Sequence, residues 1–267
     1  RVARDIAIAG AVLLRNERKT LPLRQDDLKS LVVIGPTAKI PLIGGGGSAR
    51  VTPFRAESPL DALVRRAGDM AHISYVEGID LDGVVVPGSV LSPPGVPSMH
   101  GLLRTASGGT TQIDPQVDYT GSNALEGSST YTWTGTLTVP TAGDYELKVQ
   151  TLDGGEGELL LDGTQVMPIK GFFGGASLIP TTDGLENGST TVHLEAGAHA
   201  ITLTVGPRRW GQPPASLQIR FAWVTPERRQ SKIDEAVTAA RSAKAAVVFG
   251  YTEGTEGVDR TSLALPG

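Results

Sequence analysis

The sequence predicts a layered α/β domain interrupted by an inserted antiparallel β-sandwich. Two β-branched or apolar runs closed by glycine, Leu31-Val32-Val33-Ile34 before Gly35-Pro36 and residues 245–249 before Gly250, have the composition of buried parallel strands. Helical periodicity flanks both of them. Between residues 99 and 226 the period changes to two, in short segments separated by turn residues, which is the pattern of a sandwich. Because the α/β pattern stops near residue 98 and resumes at 227, the chain divides into 1–98, the insert 99–226, and 227–267. An insert of this kind enters where the host already has a surface loop.

Residues 2–14 are rich in Ala, Leu, Ile and Val without proline, and predict a buried helix closed by the polar run 15–20. The apolar stretch 6–14 behind Arg1 and Arg4 superficially resembles a signal peptide, but it is far shorter than a membrane span and runs into Arg15-Asn16-Glu17-Arg18-Lys19 without a small-residue cleavage site. A second helix is expected over 58–67, where Ser58 can cap and Pro59 suits the first turn, followed by a strand over 72–76. Residues 84–97 mix Pro, Gly, Ser and Val irregularly, a linker composition. Strands are then expected at 131–139, 145–151, 158–161 with an Asp162-Gly163 turn, 190–194, 200–205 and 216–224. Trp133 and Trp223 lie inside alternating strands and are expected in the core. After Pro226, Ile233, Ala236, Val237, Ala240 and Ala243 share one helical face.

With 267 residues the chain can bury a sizeable core and accommodates two domains. A formal charge of -4 offers no basic field for a phosphate backbone, so nucleic acid is not an expected partner, and a neutral substrate fits better. No segment suits a membrane span. The absence of cysteine excludes disulfides and thiolate metal sites but leaves the compartment open, an extracellular one included. Asp153, Glu156, Glu158 and Asp162 surround a hairpin without the ligand order of a calcium loop. The four histidines, His72, His100, His193 and His199, are scattered without helical pairing, so neither metal nor cofactor is expected. The glycine-rich run 43–51 lacks the Lys-Ser/Thr ending of a phosphate-binding loop.

The segment from Phe249 to Arg260 carries the chemistry. It places Glu253 and Glu256, each followed by glycine, directly after a strand of a parallel sheet, where open α/β sheets bind ligands. Glycine permits the close backbone approach that a substrate-facing carboxyl needs. Composition alone equally admits a solvated acidic turn.

Glu256-Gly257-Val258-Asp259-Arg260, continued by Leu263, Leu265 and Pro266, resembles the acid/base loop of family 3 β-glycosidases. Ala11-Val12-Leu13-Leu14-Arg15-Asn16 with Leu21-Pro22-Leu23, Val33-Ile34-Gly35-Pro36 and Gly44 to Ser48 are similar to that family's second domain in the same order. The resemblance covers about residues 1–88 and 227–267. It implies a retaining mechanism in which an Asp nucleophile from a preceding barrel, absent here, attacks the sugar while Glu256 serves as general acid/base. Two such carboxyls stand about 5 Å apart. Glu253 is the second candidate, and Asp259 with Arg260 would brace the loop as an ion pair. Ser48 and Arg50 fall where the family's loop borders the active-site mouth, as sugar contacts or as plain loop. The chain starts without Met and stops just after the motif, so it is expected to be a piece of a longer protein whose barrel and C-terminal segments would be its partners.

The insert resembles the protective-antigen-type carbohydrate-binding sandwich, through Gly101-Leu102-Leu103, Trp133-Thr134-Gly135, Gly143-Asp144-Tyr145, Leu160-Leu161-Asp162-Gly163 and Leu194-Glu195-Ala196-Gly197. In β-glucosidases with this module it leans over the active site and helps select the aglycone. Phe172, Phe173 and Trp210, flanked by glycine, are the rings that would stack on such a group, unless they pack inside the sandwich. The resemblance therefore implies hydrolysis of terminal β-glucosides, of an oligosaccharide or of a glucosylated natural product such as a macrolide. A non-catalytic adhesin using the sandwich alone is the competing reading.

Overall fold

The computed structural model describes residues 2–44, 51, 53–152, 155–169, 179–208 and 212–252. The chain runs through α1 (Val2–Gly10), β1 (Leu31–Ile34), α2 (Pro59–Ala67) and β2 (Ile73–Val76) before entering the insert. There it forms β3 (Val84–Val85), β4 (Leu91–Ser92), β5 (Leu102–Ala106), β6 (Thr111–Asp114), β7 (Asp118–Tyr119), β8 (Leu125–Glu126), β9 (Tyr131–Val139) and β10 (Gly143–Thr151). It continues with β11 (Glu156–Leu161), β12 (Thr164–Ile169), β13 (Glu186–Leu194), β14 (Gly197–Gly206), β15 (Ser216–Leu217) and β16 (Ile219–Val224). Finally α3 (Pro226–Ser242) and β17 (Ala245–Val248) return to the first module.

That module is a parallel sheet ordered β17-β1-β2, with β1 in the centre. All four residues of β1 are buried because both its faces are covered. Leu31 and Val33 pack toward Leu60 and Leu63 of α2, and Val32 and Ile34 toward Ala236, Ala239 and Ala240 of α3. Both helices begin as their sequences predict: the Ser58 hydroxyl accepts from the Asp61 N–H and the Thr225 hydroxyl from the Arg228 N–H, each followed by proline. On α3 the packed face is the alanine column, whereas Ile233 and Val237 are exposed. Small side chains let the helix lie close to the sheet.

Two further expectations differ from the structure. The first helix ends at Gly10 and buries none of its residues, because no described element lies against it. Strand β17 is half-buried on one face and exposed on the other. Among the described residues it is the outer strand, and its Ala245 and Val247 pack inward on the side of α2 while Val248 points out.

The insert consists of two large antiparallel sheets, one ordered β12-β11-β14-β9-β5-β6 with β4 also on β9, the other β13-β10-β16-β3 with β7 also on β16, and of a small antiparallel pair formed by β8 and β15. The inner faces of the two large sheets meet in one core that holds Trp133, Leu137, Leu159 and Leu203 opposite Tyr145, Leu147, Phe221 and Trp223. Trp133 and Trp223 are buried as the alternation predicts. Residues 84–92, of linker composition, instead supply β3 and β4, which pair with β16 and β9 and tie both sheets to the entering chain.

Asp162 and Gly163 turn the β11–β12 hairpin with φ of 50° and 77°, the two left-handed residues of a tight hairpin turn. His199 steadies the turn through Nδ1, 2.8 Å from Asp162, and Nε2, 2.9 Å from the Glu195 carbonyl. Only the imidazolium can donate to both acceptors. The Asp162 carboxylate therefore raises the His199 pKa, with help from the Glu195 carbonyl, and His199 in turn lowers that of Asp162. The resulting stabilisation is complete below the unfolded histidine pKa of about 6.5. It is lost as pH rises through the higher folded value. At the acid end the Asp162 share is lost as pH falls through that group's lowered pKa. Thermal melts of the chain across this range should show Tm falling on the alkaline side, and His199→Gln should flatten that limb. An unchanged profile in the variant would assign the dependence to another group.

Candidate functional site

The three parallel strands end level with one another, since Ile34 pairs with both Val248 and Val76. The ladder extends one step further: Phe249 N–H donates to the Ile34 carbonyl at 2.8 Å, and Gly35 N–H to that of Val76 at 3.1 Å. Gly35 has a φ of 114°, and a Cβ there would lie 2.4 Å from the Phe249 carbonyl oxygen. Only glycine lets the two backbones approach so closely.

Three segments leave this one edge. Pro36, Thr37 and Ala38 form a buried turn that leads toward Ser48 and Arg50. Gly250, Tyr251 and Thr252 lead toward Glu253, Glu256, Asp259 and Arg260. Glu77 and Gly78 lead into the insert. Ser48, Arg50, Glu253, Glu256, Asp259 and Arg260 themselves lie outside the described residues, as do Phe172, Phe173 and Trp210. The ends of β1 and β17, from which the chain runs on to the first six, are adjacent in space.

The chain between β2 and β3 binds the two modules together. Lys232 of α3 reaches Glu77 at 3.3 Å, and Arg228 pairs with the buried Asp80, whose other oxygen accepts from the Gly83 N–H at 2.9 Å. On the sandwich side, the buried Gln150 donates to the Asp82 carbonyl at 2.7 Å, and Asn187 to the Leu81 carbonyl at 2.7 Å. The Asp82 carboxylate accepts from both the N–H and the hydroxyl of Thr182. Residues 179–182, which close the segment containing Phe172 and Phe173, are thus tied six residues beyond the end of β2. The segment containing Trp210 is closed by Arg208, which donates twice to the Gln212 carbonyl at 3.3 Å.

These charges are matched internally. Hydrogen bonding from Arg220 holds the Asp183 carboxyl below the usual carboxylate range, so Asp183 is a structural anion rather than an acid. Sequence reasoning missed the whole junction. Its signal, the Asp80-Leu81-Asp82-Gly83 turn, stands at the head of a stretch of linker composition. Among the described residues no group of three or more His, Cys, Asp or Glu side chains could hold a metal, and no helix is long and apolar enough to cross a membrane.

Comparison with known proteins agrees with this geometry. "Probable beta-glucosidase I" of Aspergillus niger is 28% identical over 308 residues, covering 98% of this chain and 34% of that protein. "Probable beta-glucosidase K" of Emericella nidulans is 34% identical over 104 residues, covering 38% of the chain and 12% of the relative. Among solved structures, DesR, a beta-glucosidase from Streptomyces venezuelae in complex with D-glucose, superposes with a TM-score of 0.71 at 34% identity, covering 100% of this chain and 29% of that one. The chain thus spans about a third of the length of the relatives it matches from end to end. The model for the glycosyl hydrolase family 3 C-terminal domain matches residues 11–267, through the insert as well as around it, and the chain belongs to that family.

Proposed function

We propose that this chain is the acid/base-bearing part of a retaining β-glucosidase that hydrolyses terminal β-glucosides, with the sandwich as its aglycone-recognition module. The observation that carries the proposal is the level edge of the parallel sheet. The chain segments that run on to Glu256 and to Ser48 and Arg50 depart from neighbouring strands of that edge. In this reading Glu256 protonates the leaving oxygen and then activates water, Glu253 is the alternative acid, and Asp259 with Arg260 braces the loop. The nucleophile comes from a barrel outside the chain, as the greater length of the relatives suggests.

The division into 1–98, 99–226 and 227–267 belongs to the same proposal, the insert reaching back to residue 84 through β3 and β4. The Asp82–Thr182 tie favours an overhanging sandwich. It roots the Phe172-Phe173 segment close to the chain leaving β2, so that these rings, with Trp210, contact the aglycone while the sugar sits deeper. The aglycone is an oligosaccharide or a natural product.

The test is hydrolysis of aryl β-glucosides of graded aglycone size, followed by proton NMR of the first sugar released. The complete protein should release β-glucose first, and the 267-residue chain by itself should show no turnover. Release of α-glucose first would reject retention, and turnover by the isolated chain would reject the two-part site.

A further inference from the structure

The outer face of the sheet β13-β10-β16-β3 is not simply solvated, as the outer face of a sandwich commonly is. Lys148 and Gln150 of β10 alternate with the core residues Leu147 and Val149, so they point away from the sandwich core, yet both are buried. What covers them is the chain arriving from the parallel sheet. Gln150 donates to the Asp82 carbonyl, and the Lys148 stem runs beneath Gly83, where a Cβ would lie 3.3 Å from its Cδ. The Lys148 ammonium is satisfied by Glu146 at 2.6 Å. An interface made of buried polar groups has a fixed geometry, because hydrogen bonds are directional and apolar packing is not.

The two crossings between the modules lie side by side. The entering chain becomes β3, which pairs with β16, and β16 hands over to α3 through Thr225 alone. Domains joined in this way move relative to one another by default, unless their interface holds them. Three side-chain ties to α3 brace the junction. Thr141 of the sandwich donates to Glu227 at 2.9 Å, Lys232 reaches Glu77 at 3.3 Å, and Arg228 pairs with Asp80. The first tie is exposed, and both partners of the second are about a quarter exposed. Asp80 is different: its side chain is 5% exposed, and its other oxygen is held by the Gly83 N–H at 2.9 Å. Solvent screens the exposed ties, whereas a buried carboxyl deprived of its partner is strongly unfavourable, so the Asp80–Arg228 pair dominates the brace.

The brace stands at the edge from which the chain runs on to Glu256. Lys244, beyond the end of α3, donates its N–H to the Ser30 carbonyl just before β1, so the helix begins at the opposite edge, where β1 and β17 end. There Lys232 meets Glu77, the first residue after β2, and Arg228 lies one helical turn further out. We propose that Asp80 and Arg228 are positioning residues: their pair fixes the angle at which the sandwich stands to the parallel sheet, and thereby which aglycones are admitted. The proposal rests on the aglycone-recognition reading of the sandwich and adds the residues that set its geometry.

The experiment compares Asp80→Asn, Arg228→Gln and the double variant in the complete protein. Asparagine keeps an oxygen to accept from Gly83 and gives up the charge, so the turn survives. Kinetics on a small aryl glucoside and on a glucoside of a bulky aglycone are paired with spin-label distances between Thr238→Cys on α3 and Thr138→Cys on β9, both exposed positions. Each single variant should broaden the distance distribution and lower kcat/KM for the bulky aglycone about tenfold, through KM, while the small substrate stays within about twofold. The double variant should do no more than either single one, since the two residues act as a unit. Arg228→Lys, which keeps the charge but not the guanidinium geometry, should fall between, and it decides if the neutral variants do not fold. Distances as narrow in the variants as in the wild type, broadened distances with unchanged aglycone discrimination, or an equal loss on both substrates would each overturn the proposal. A wild-type protein indifferent to the size of the aglycone would instead overturn the reading of the sandwich itself, and this proposal with it.

Discussion

Glu256→Gln in the complete protein should lower turnover of alkyl glucosides by about 10²–10⁴-fold while slowing activated aryl glucosides far less in the step that expels the aglycone. An alkoxide is a poor leaving group and must be protonated as the glycosidic bond breaks; a nitrophenolate is stable enough to depart unprotonated. The glutamine amide preserves the size of the side chain and removes the proton, so the contrast between substrates isolates acid catalysis from binding. Later hydrolysis of the glycosyl-enzyme needs the same group as a base, so the aryl substrate should show a burst followed by slow turnover. Equal loss on both substrates, with no burst, would remove Glu256 from the acid role. The same comparison on Glu253→Gln tests the second candidate.

Gly35→Ala should have the next largest effect. The added methyl meets the Phe249 carbonyl oxygen at 2.4 Å, and the φ of 114° is one that an L side chain adopts only with strain. Neither obstacle is a flexible side chain that can turn aside. Strain and overpacking together should cost roughly 2–5 kcal/mol, several degrees or more in Tm. The backbone that must yield is the one from which the Glu256 loop departs, so kcat of the complete protein should fall even at temperatures where the variant is folded. Gly78→Ala is the matched control. Its φ is 77°, so backbone strain is shared, but the contact at 2.9 Å is the Cγ2 methyl of Ile34, a side-chain atom rather than a backbone carbonyl of the neighbouring strand. It should lose less stability and retain kcat; equal losses in the two variants would mean that the Gly35–Phe249 approach has no special bearing on the site.

The sequence by itself determined the elements whose side chains repeat with one period and whose ends carry their own signals. β1 is legible because four apolar residues precede Gly35-Pro36, α2 and α3 because Ser58-Pro59 and Thr225-Pro226 mark their starts, and β9 because nine residues alternate without a break. The Glu256 motif, too, could be placed after a strand, since a parallel strand and the glycine that ends it are local features. What pairs with what is not local. That residues 84–92 join both sheets, that the alanines of α3 rather than Ile233 and Val237 face β1, and that β17 is the outer strand among the described residues depend on neighbours far away in the chain. The Arg104–Asp114 pair of the β5–β6 hairpin escaped notice for the same reason, because Arg104 reads as solvent-facing until Asp114 and two tyrosines are brought around it. The Asp80–Gly83 turn looks like any polar turn until Arg228, Gln150, Asn187 and Thr182 converge on it from separations of up to 148 residues. Periodicity and end signals are written into neighbouring residues, whereas a buried charge becomes affordable only when tertiary structure supplies its partners.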